Sequence, residues 1–482
     1  MTVTAIISAL GIITMLTLLE RRCNMLNRII AHRRFIPVCL FLATVIRLLW
    51  IWLVDAEQYL DFFWYQQFAR NIADGKGYTV DGIPTGYWPI GYPGLLGIIF
   101  YVVGESVLVG KVLNIVLYIG AIFLTYRLSQ RLFHCEYAAR VTVCLLCFYP
   151  NHIAYTALLS SEILFVFLVA LSAFAFEAAR GRAGFLMLSG MFWGLAALTK
   201  PQGLVLPFLF LLFFSRSVRS FVRSSVLVYC MVLITVSPWL IRNHSVFGAY
   251  TLANTFGINL LDGNNPYNDT GDSNFNDKVN ALLGDLQTVP HEYMFDGKEV
   301  ERDTRAKNIA IDYMIHNPGR VFGLLPRKLL ALFKDDAEGL WYSMGVMPGS
   351  KSYAAPLGTL PRALWSPPFS LEGRTKILYD NLSRLGRLYY VLMVALFAIS
   401  LPIVLKLPIR PQHIGLAIIV SLTLAHLVLY GAPRYHFSMM PWVAIYSGLG
   451  AQTLLLVKSS LRIAESGEVP ACYDHEERKV RA

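Results

Sequence analysis

Ile36-Pro-Val-Cys-Leu-Phe-Leu-Ala-Thr-Val-Ile-Arg47-Leu-Leu-Trp-Ile-Trp-Leu-Val54 carries a single charge. As a helix it is about 28 Å long, enough to cross the hydrocarbon core of a bilayer. Stretches of this kind recur at 106–126, 138–155, 162–179, 184–199, 202–214, 225–241, 388–405, 413–430 and 437–456. Lipid offers no partner to an exposed backbone N–H, so each reads as a helix. Only 15% of the 482 residues are charged and 55% are apolar, with a mean hydropathy of +0.51, which excludes an ordinary soluble protein. The fold class expected is all-α, a polytopic membrane helical bundle of about 10–11 spans with interfacial helices on its outer face.

The net charge of +11 would suit a nucleic-acid partner, but its distribution reports topology instead. Arginines and lysines gather in short loops (Arg28, Arg33 and Arg34; Arg127 and Arg131; Arg216, Arg219 and Arg223; Lys406 and Arg410). Short basic loops mark the cytoplasmic side. Threading the spans on that rule alternates consistently and puts Asp61 on the outer face. Nucleic acid is not an expected partner. None of the seven cysteines falls in either long outer loop, so no disulfide framework is implied there. Cys144-Leu-Leu-Cys147 lies in an apolar helix without the context of a redox motif. Residues 1–19 read as an additional helix, because their charges follow the apolar run instead of preceding it. Three regions result: 1–35, an apolar helix and basic loop; 36–457, the membrane domain with outer loops 55–105 and 242–386; and 458–482, a polar cytoplasmic tail.

The first outer loop opens with Asp61-Phe-Phe-Trp-Tyr65-Gln-Gln-Phe68-Ala-Arg-Asn71. Asp61, Tyr65, Phe68 and Ile72 share one helical stripe, so this helix is expected to lie in the interface. Asp61 reads either as an acid favoured at a helix N-terminus or as a base beside a substrate. Tyr65, Tyr87, Trp88 and Tyr92 crowd the same loop as belt residues or as surfaces for a sugar face. Glu162 heads the span at 162–179 on the same side, where it reads as a capping acid or as a partner of Asp61. Lys200, Arg242 and Arg434 with His436 end three other spans there, against the charge rule, which suggests an anion site. Arg47 reads as pairing with an acid or snorkelling outward. In the second loop, 318–333 reads as another interfacial helix, with Arg320, Arg327 and Lys328 reaching toward headgroups. Asn264 and Asn265 read as turn residues or as hydrogen-bonding partners of sugar hydroxyls.

In order along the chain these pieces resemble the C-type-fold membrane glycosyltransferases that use polyprenyl-phosphate sugars. Protein O-mannosyltransferases and the lipid A aminoarabinose transferase are among them. The motifs are Asp61-x-x-x-Tyr65, Pro89-x-Gly-Tyr-Pro93, Ser161-Glu162, Leu198-Thr-Lys200-Pro, Pro238-Trp-x-x-Arg242-Asn243, Gly263-Asn-Asn-Pro266 and Pro433-Arg-Tyr-His436. Two departures are Lys200, where the family often has Arg, and Trp88-Pro89, where some members have a cation. The resemblance implies a polyprenyl-phosphate sugar donor, a lipid, glycan or protein acceptor, and an active site on the periplasmic or outer face of a bacterial inner membrane. It implies Asp61 as base or orienter with Glu162 as second catalytic acid. Lys200, Arg242, Arg434 and His436 would hold the donor phosphate, and Tyr65, Tyr87, Trp88, Tyr92, Asn264 and Asn265 the sugar or acceptor. No cofactor is required; a divalent cation between Asp61 and Glu162 is the one metal site the sequence offers. The competing readings are a flippase of lipid-linked sugars, and an oligosaccharide ligase or polymerase. Clustering of acids and cations at one face, without internal repeats, favours the enzyme.

Overall fold

The computed structural model describes residues 28–54, 56–179, 182–215, 217–287, 295–345, 374–407 and 411–466. The expected helix at 1–19 lies outside them. The protein is a predominantly α-helical, multi-pass membrane protein. Seven helices among the described residues are long and apolar enough to span a bilayer. Six of their elements are α1 (Phe35–Leu53), α4 (Val107–Phe133), α7 (Ser161–Ala179), α10 (Val218–Phe247), α16 (Arg374–Lys406) and α17 (Ile414–Val428). The seventh span, Pro433–Leu456, begins in the short α18 (Pro433–His436) and continues into α19 (Met440–Ser466).

Three expected spans take shorter forms. The stretch at 138–155 is divided into α5 (Glu136–Cys147) and α6 (Pro150–Tyr155). The next, α8 (Ala183–Thr199), is 17 residues long. The third is a 3₁₀ turn at Pro201–Leu204 followed by the nine-residue α9 (Leu206–Phe214). Pro201 has no N–H to continue α8, which accounts for that break. At its far end α19 continues past residue 457 into the stretch read as a tail.

Close helix contacts rest on small residues, as expected where lipid supplies no hydrophobic drive. Gly190 and Gly194, one turn apart on α8, face α10. A Cβ on the first would strike the Val228 backbone, and one on the second would stand 2.6 Å from the Thr235 Cβ.

Arg47 finds neither an acid nor the interface. It is wholly buried, donating through Nη1 to the carbonyls of Ala43 and Cys147 at 3.0 Å each, and through Nη2 to Leu146 at 3.3 Å. The last two carbonyls are open because α5 ends at Cys147 and Pro150 has no N–H to return to Leu146. The guanidinium lies 4.5 Å from the Tyr118 ring centroid, so one cation seals a helix break with its face covered by an aromatic ring.

At one end of the bundle sit the two long loops. The first holds α2 (Asp61–Ala73), a short hairpin of β1 (Thr79–Val80) and β2 (Ile83–Pro84), and α3 (Gly91–Val103). The second holds α11 (Phe256–Gly263), α12 (Asp277–Ala281), α13 (Glu299–His316), α14 (Pro318–Phe333) and α15 (Glu338–Met344). It has a small core of its own, in which Leu260 and Leu261 of α11 meet Ala306 and Ala310 of α13. The loops are fastened together by Glu299, which accepts from Thr85 Oγ1 (2.5 Å), Gly86 N (2.9 Å) and Asn254 Nδ2 (3.2 Å). The stretch expected to be an interfacial helix is α14, and of its three cations Lys328 turns inward while Arg320 and Arg327 stay exposed. Lys328 is buried and donates to Asn264 Oδ1 at 2.8 Å. Arg320 and Arg327 bind the carbonyls of Pro266 and Asp269.

Candidate active site

Four side chains from distant parts of the sequence converge at the loop-bearing end. Asp61 is the first residue of α2 and Glu162 lies in the first turn of α7, both where the helix dipole favours an acid. Lys200 caps the end of α8, where Pro201 stops the helix, and Arg434 follows Pro433 in α18. Each of these two cations is thus delivered beside a proline. Arg434 donates through Nη1 to Asp61 Oδ2 at 2.9 Å. Through Nε and Nη2 it donates to Glu162 Oε1 at 3.1 and 2.9 Å. Lys200 Nζ meets the same Oε1 at 3.0 Å.

Glu162 is buried completely, Lys200 and Arg434 are 12% and 18% exposed, and Asp61 is 28% exposed. The acid at the rim is therefore the one that a substrate can reach. Three donors share Glu162 Oε1, while its buried Oε2 has no partner among the described residues. Arg434 uses three of its five N–H groups on the two acids, leaving two for another acceptor. Two acids and two cations balance.

The backbone before Asp61 is strained. Leu60 has φ 51° and ψ −132° and no side-chain cap, a conformation costing on the order of 1–3 kcal/mol for a residue with a Cβ. Aromatic contacts hold that turn. Tyr59 OH donates to the Tyr342 carbonyl at 3.0 Å, and the Phe62 and Tyr342 rings meet edge-on at 5.3 Å.

Tyr65 is buried against Trp88 (6.2 Å) and Tyr92 (5.8 Å). Burial first, then the charges of Asp61 and Glu162, push its phenol far up, so it stays a neutral hydroxyl. Tyr87 and Trp88 are half-buried and their rings meet edge-on at 4.5 Å, so both stay partly exposed. Gly91 brings α3 against Leu198 and Thr199, next to Lys200; any Cβ there would collide with them.

Other expected residues lie elsewhere. Tyr92 is fully buried, its hydroxyl donating to Asn114 Oδ1 at 3.1 Å, so it packs the core and presents nothing to a sugar. Arg242 spends its N–H groups on the carbonyls of Thr85 (2.8 Å) and Tyr78 (3.0 Å) and on Asn243, holding the first loop instead of joining the acids. His436 is buried between the Leu332 carbonyl (2.7 Å) and Asp336 Oδ1 (2.8 Å); both ring nitrogens face acceptors and none is left for a phosphate. Asn264 and Asn265 are also fully buried. Their amides donate to the carbonyls of Leu260, Val428, Leu261 and Asp262, which makes them turn-holding residues out of a sugar's reach. Between Asp61 and Glu162 stands the Arg434 guanidinium, so a divalent cation there would have to displace it. Among the described residues no group of three or more His, Cys, Asp or Glu side chains is arranged to hold a metal.

The sequence reading passed over Glu299, Glu338 and Tyr342. Glu338 is 6% exposed and accepts from Tyr342 OH at 2.9 Å. Little local signals these residues, since Glu299 reaches Thr85 and Tyr342 meets Tyr59 across more than 200 positions of sequence.

This architecture is the GT-C fold of membrane glycosyltransferases. It superposes on an archaeal oligosaccharyltransferase, AglB from Archaeoglobus fulgidus, solved with an inhibitory peptide and a dolichol-phosphate. The TM-score is 0.51 at 15% identity, covering 90% of this chain and 52% of that one. The apo form of the Archaeoglobus fulgidus oligosaccharyltransferase gives 0.50 at 14% identity, covering 91% and 53%. The chain thus spans about half the length of these relatives. ArnT from Cupriavidus metallidurans, solved with undecaprenyl phosphate, aligns at a TM-score of 0.42 and 14% identity, over 89% of this chain and 79% of that one. A family model described as dolichyl-phosphate-mannose-protein mannosyltransferase matches residues 88–241, a segment that contains Glu162 and Lys200. No curated protein sequence matches the chain.

Proposed function

We propose that the protein transfers a sugar from a polyprenyl-phosphate donor to an acceptor hydroxyl at the outer face of the membrane, with Asp61 as base. The observation carrying this reading is the network Lys200–Glu162–Arg434–Asp61, in which a rim carboxylate is linked to two cations through a buried acid. The acceptor oxygen attacks the anomeric carbon, and the bond from that carbon to the phosphate oxygen breaks with inversion. The hydroxyl proton passes to Asp61, and the electron pair leaves on the phosphate. Lys200 and the two uncommitted N–H groups of Arg434 face the charge that builds there. Glu162 keeps both cations in place when no phosphate is bound. Where the acceptor is itself a phosphate, already anionic, Asp61 orients it. The half-buried faces of Tyr87 and Trp88 supply a stacking surface for the sugar. The AglB structure holds a dolichol-phosphate, which supports a lipid-phosphate donor of this general kind.

Asp61→Asn keeps an oxygen for Arg434 but removes the base. Expressed in a deletion strain, it should fail to restore the sugar that mass spectrometry finds missing from surface glycans and lipids. Transfer should fall by about 10²–10⁴-fold while the amount of membrane-inserted protein is unchanged. Restoration at the wild-type level would remove Asp61 from the chemistry.

A further inference from the structure

Behind the four-residue network lies a third carboxyl, on α15. Two ties set Glu338 in place. Gly339 N donates to Asn151 Oδ1 at 2.8 Å, and Asn151 Nδ2 in turn donates to Asp336 Oδ1 at 2.6 Å. His436 joins the same Asp336 oxygen. The His436–Asp336 bond holds α18 against α15, and Arg434, two residues before His436, lies near enough for its charge to act on Glu338.

The charged and phenolic groups that act on Glu338 come from several of the elements around it. They are Arg434 and His436 of α18, Glu162 of α7, Tyr155 of α6, Tyr59 before α2, and Tyr342 of its own helix. From α16, Tyr379 packs on Leu340 and Met344. Oε1 accepts from Tyr342, and Oε2 is buried with no partner among the described residues, as are the Tyr155 hydroxyl and Glu162 Oε2. The charge count explains why this carboxyl is unlike the others. Lys200 and Arg434 are already balanced by Asp61 and Glu162, and His436 by Asp336. A charge on Glu338 is the unmatched one. Burial pushes it up to about 7, with Arg434, the Tyr342 hydrogen bond and His436 opposing, and Glu162 adding to the rise.

We propose that Glu338 is a further residue of the donor-phosphate site, taking a proton from water when an anionic phosphodiester docks against Lys200 and Arg434 and returning it when the phosphate leaves. This rests on the donor site proposed above. The incoming negative charge competes for Arg434 with the Glu338 carboxylate, and protonation removes the competitor.

The test is calorimetric titration of the full-length protein in detergent with the methyl diester of undecaprenyl phosphate. A diester has no group of its own titrating near neutrality. Buffers of different ionisation enthalpy count the protons taken up. Near pH 8 the wild type should take up about 0.5–0.9 proton, and its affinity should fall by as much as roughly tenfold per pH unit above neutrality. Glu338→Gln, which keeps the oxygen that Tyr342 bonds, should take up none and bind with an affinity independent of pH. No uptake by the wild type overturns the proposal whatever the variant does, and so does equal uptake by the variant. Wild type that fails to bind the diester at all overturns the donor-site reading as well.

Discussion

Arg434→Lys keeps the charge at the centre of the network and removes its geometry. The arginine makes three charge-assisted bonds, at 2.9 Å to Asp61 and at 2.9 and 3.1 Å to Glu162. A lysine ammonium is a point donor that can serve one acid well. Each lost bond to a charged group is worth about 1.5–3 kcal/mol; water at the 28%-exposed Asp61 recovers part of one. The expected loss is about 2–4 kcal/mol. Arg434→Ala leaves the wholly buried Glu162 with Lys200 alone, and breaking a buried pair in this way costs about 3–5 kcal/mol. Combining Arg434→Ala with Glu162→Gln removes both ends of the contact, so the double variant should be at least 2 kcal/mol more stable than the sum of the two single losses predicts. Unfolding in mixed detergent and SDS micelles, followed by the fluorescence of the nine tryptophans, measures all three. A coupling below about 0.5 kcal/mol would mean that Arg434 and Glu162 do not bond in the folded protein.

Three further expectations test other parts of the architecture. Arg47→Met leaves the Leu146 and Cys147 carbonyls unpaired and should cost about 2–4 kcal/mol; Pro150→Ala, by returning an N–H to Leu146, should recover part of that loss in the double variant and little on its own. Burial pushes the Asp262 carboxyl from 3.8 up to about 6. The folded state therefore holds more protons than the unfolded state between about pH 4 and 6, and stability rises as pH falls through that window, by at most about 3 kcal/mol. Asp262→Asn should flatten this dependence in hydrogen exchange of the 262–274 segment. Lys76→Cys, at an exposed position beyond α2, should react with an impermeant maleimide added to intact cells; labelling only after permeabilisation would invert the proposed orientation.

Hydropathy made the spanning helices legible because lipid demands apolar surface residue by residue, and Phe35–Leu53 and Ser161–Ala179 fall within a residue of where it puts them. Proline gave the local breaks, at Pro201 and Pro433, and with them the positions of Lys200 and Arg434. What sequence could not supply was the direction in which a side chain points. Arg434 and His436 share one short helix, yet two residues correspond to about 200° of rotation, so the first meets Asp61 and the second faces Asp336. Arg242 fits the pattern of an anion ligand as well as Lys200 does, but three oxygen acceptors, two of them carbonyls of the first loop, had already claimed it. Asn264 and Asn265 resemble sugar ligands only until their burial is known. Glu338 was invisible for a different reason: an acid in a long polar loop carries no periodicity, and its importance lies in a charge balance among residues up to 277 positions away.

The helix break sealed by Arg47 also imposes an order on assembly during synthesis. A lone arginine near the middle of a span such as α1 costs about 2.5–3.5 kcal/mol to insert. Its partners at Leu146 and Cys147 follow 99 and 100 residues later. At about 5–20 residues per second, the ribosome needs roughly 5–20 s to deliver them. For that interval α1 has to be held by the insertion machinery or lie shallow in the bilayer. It can dock only when the Pro150 break emerges, so a helix made early is among the later ones to be fixed.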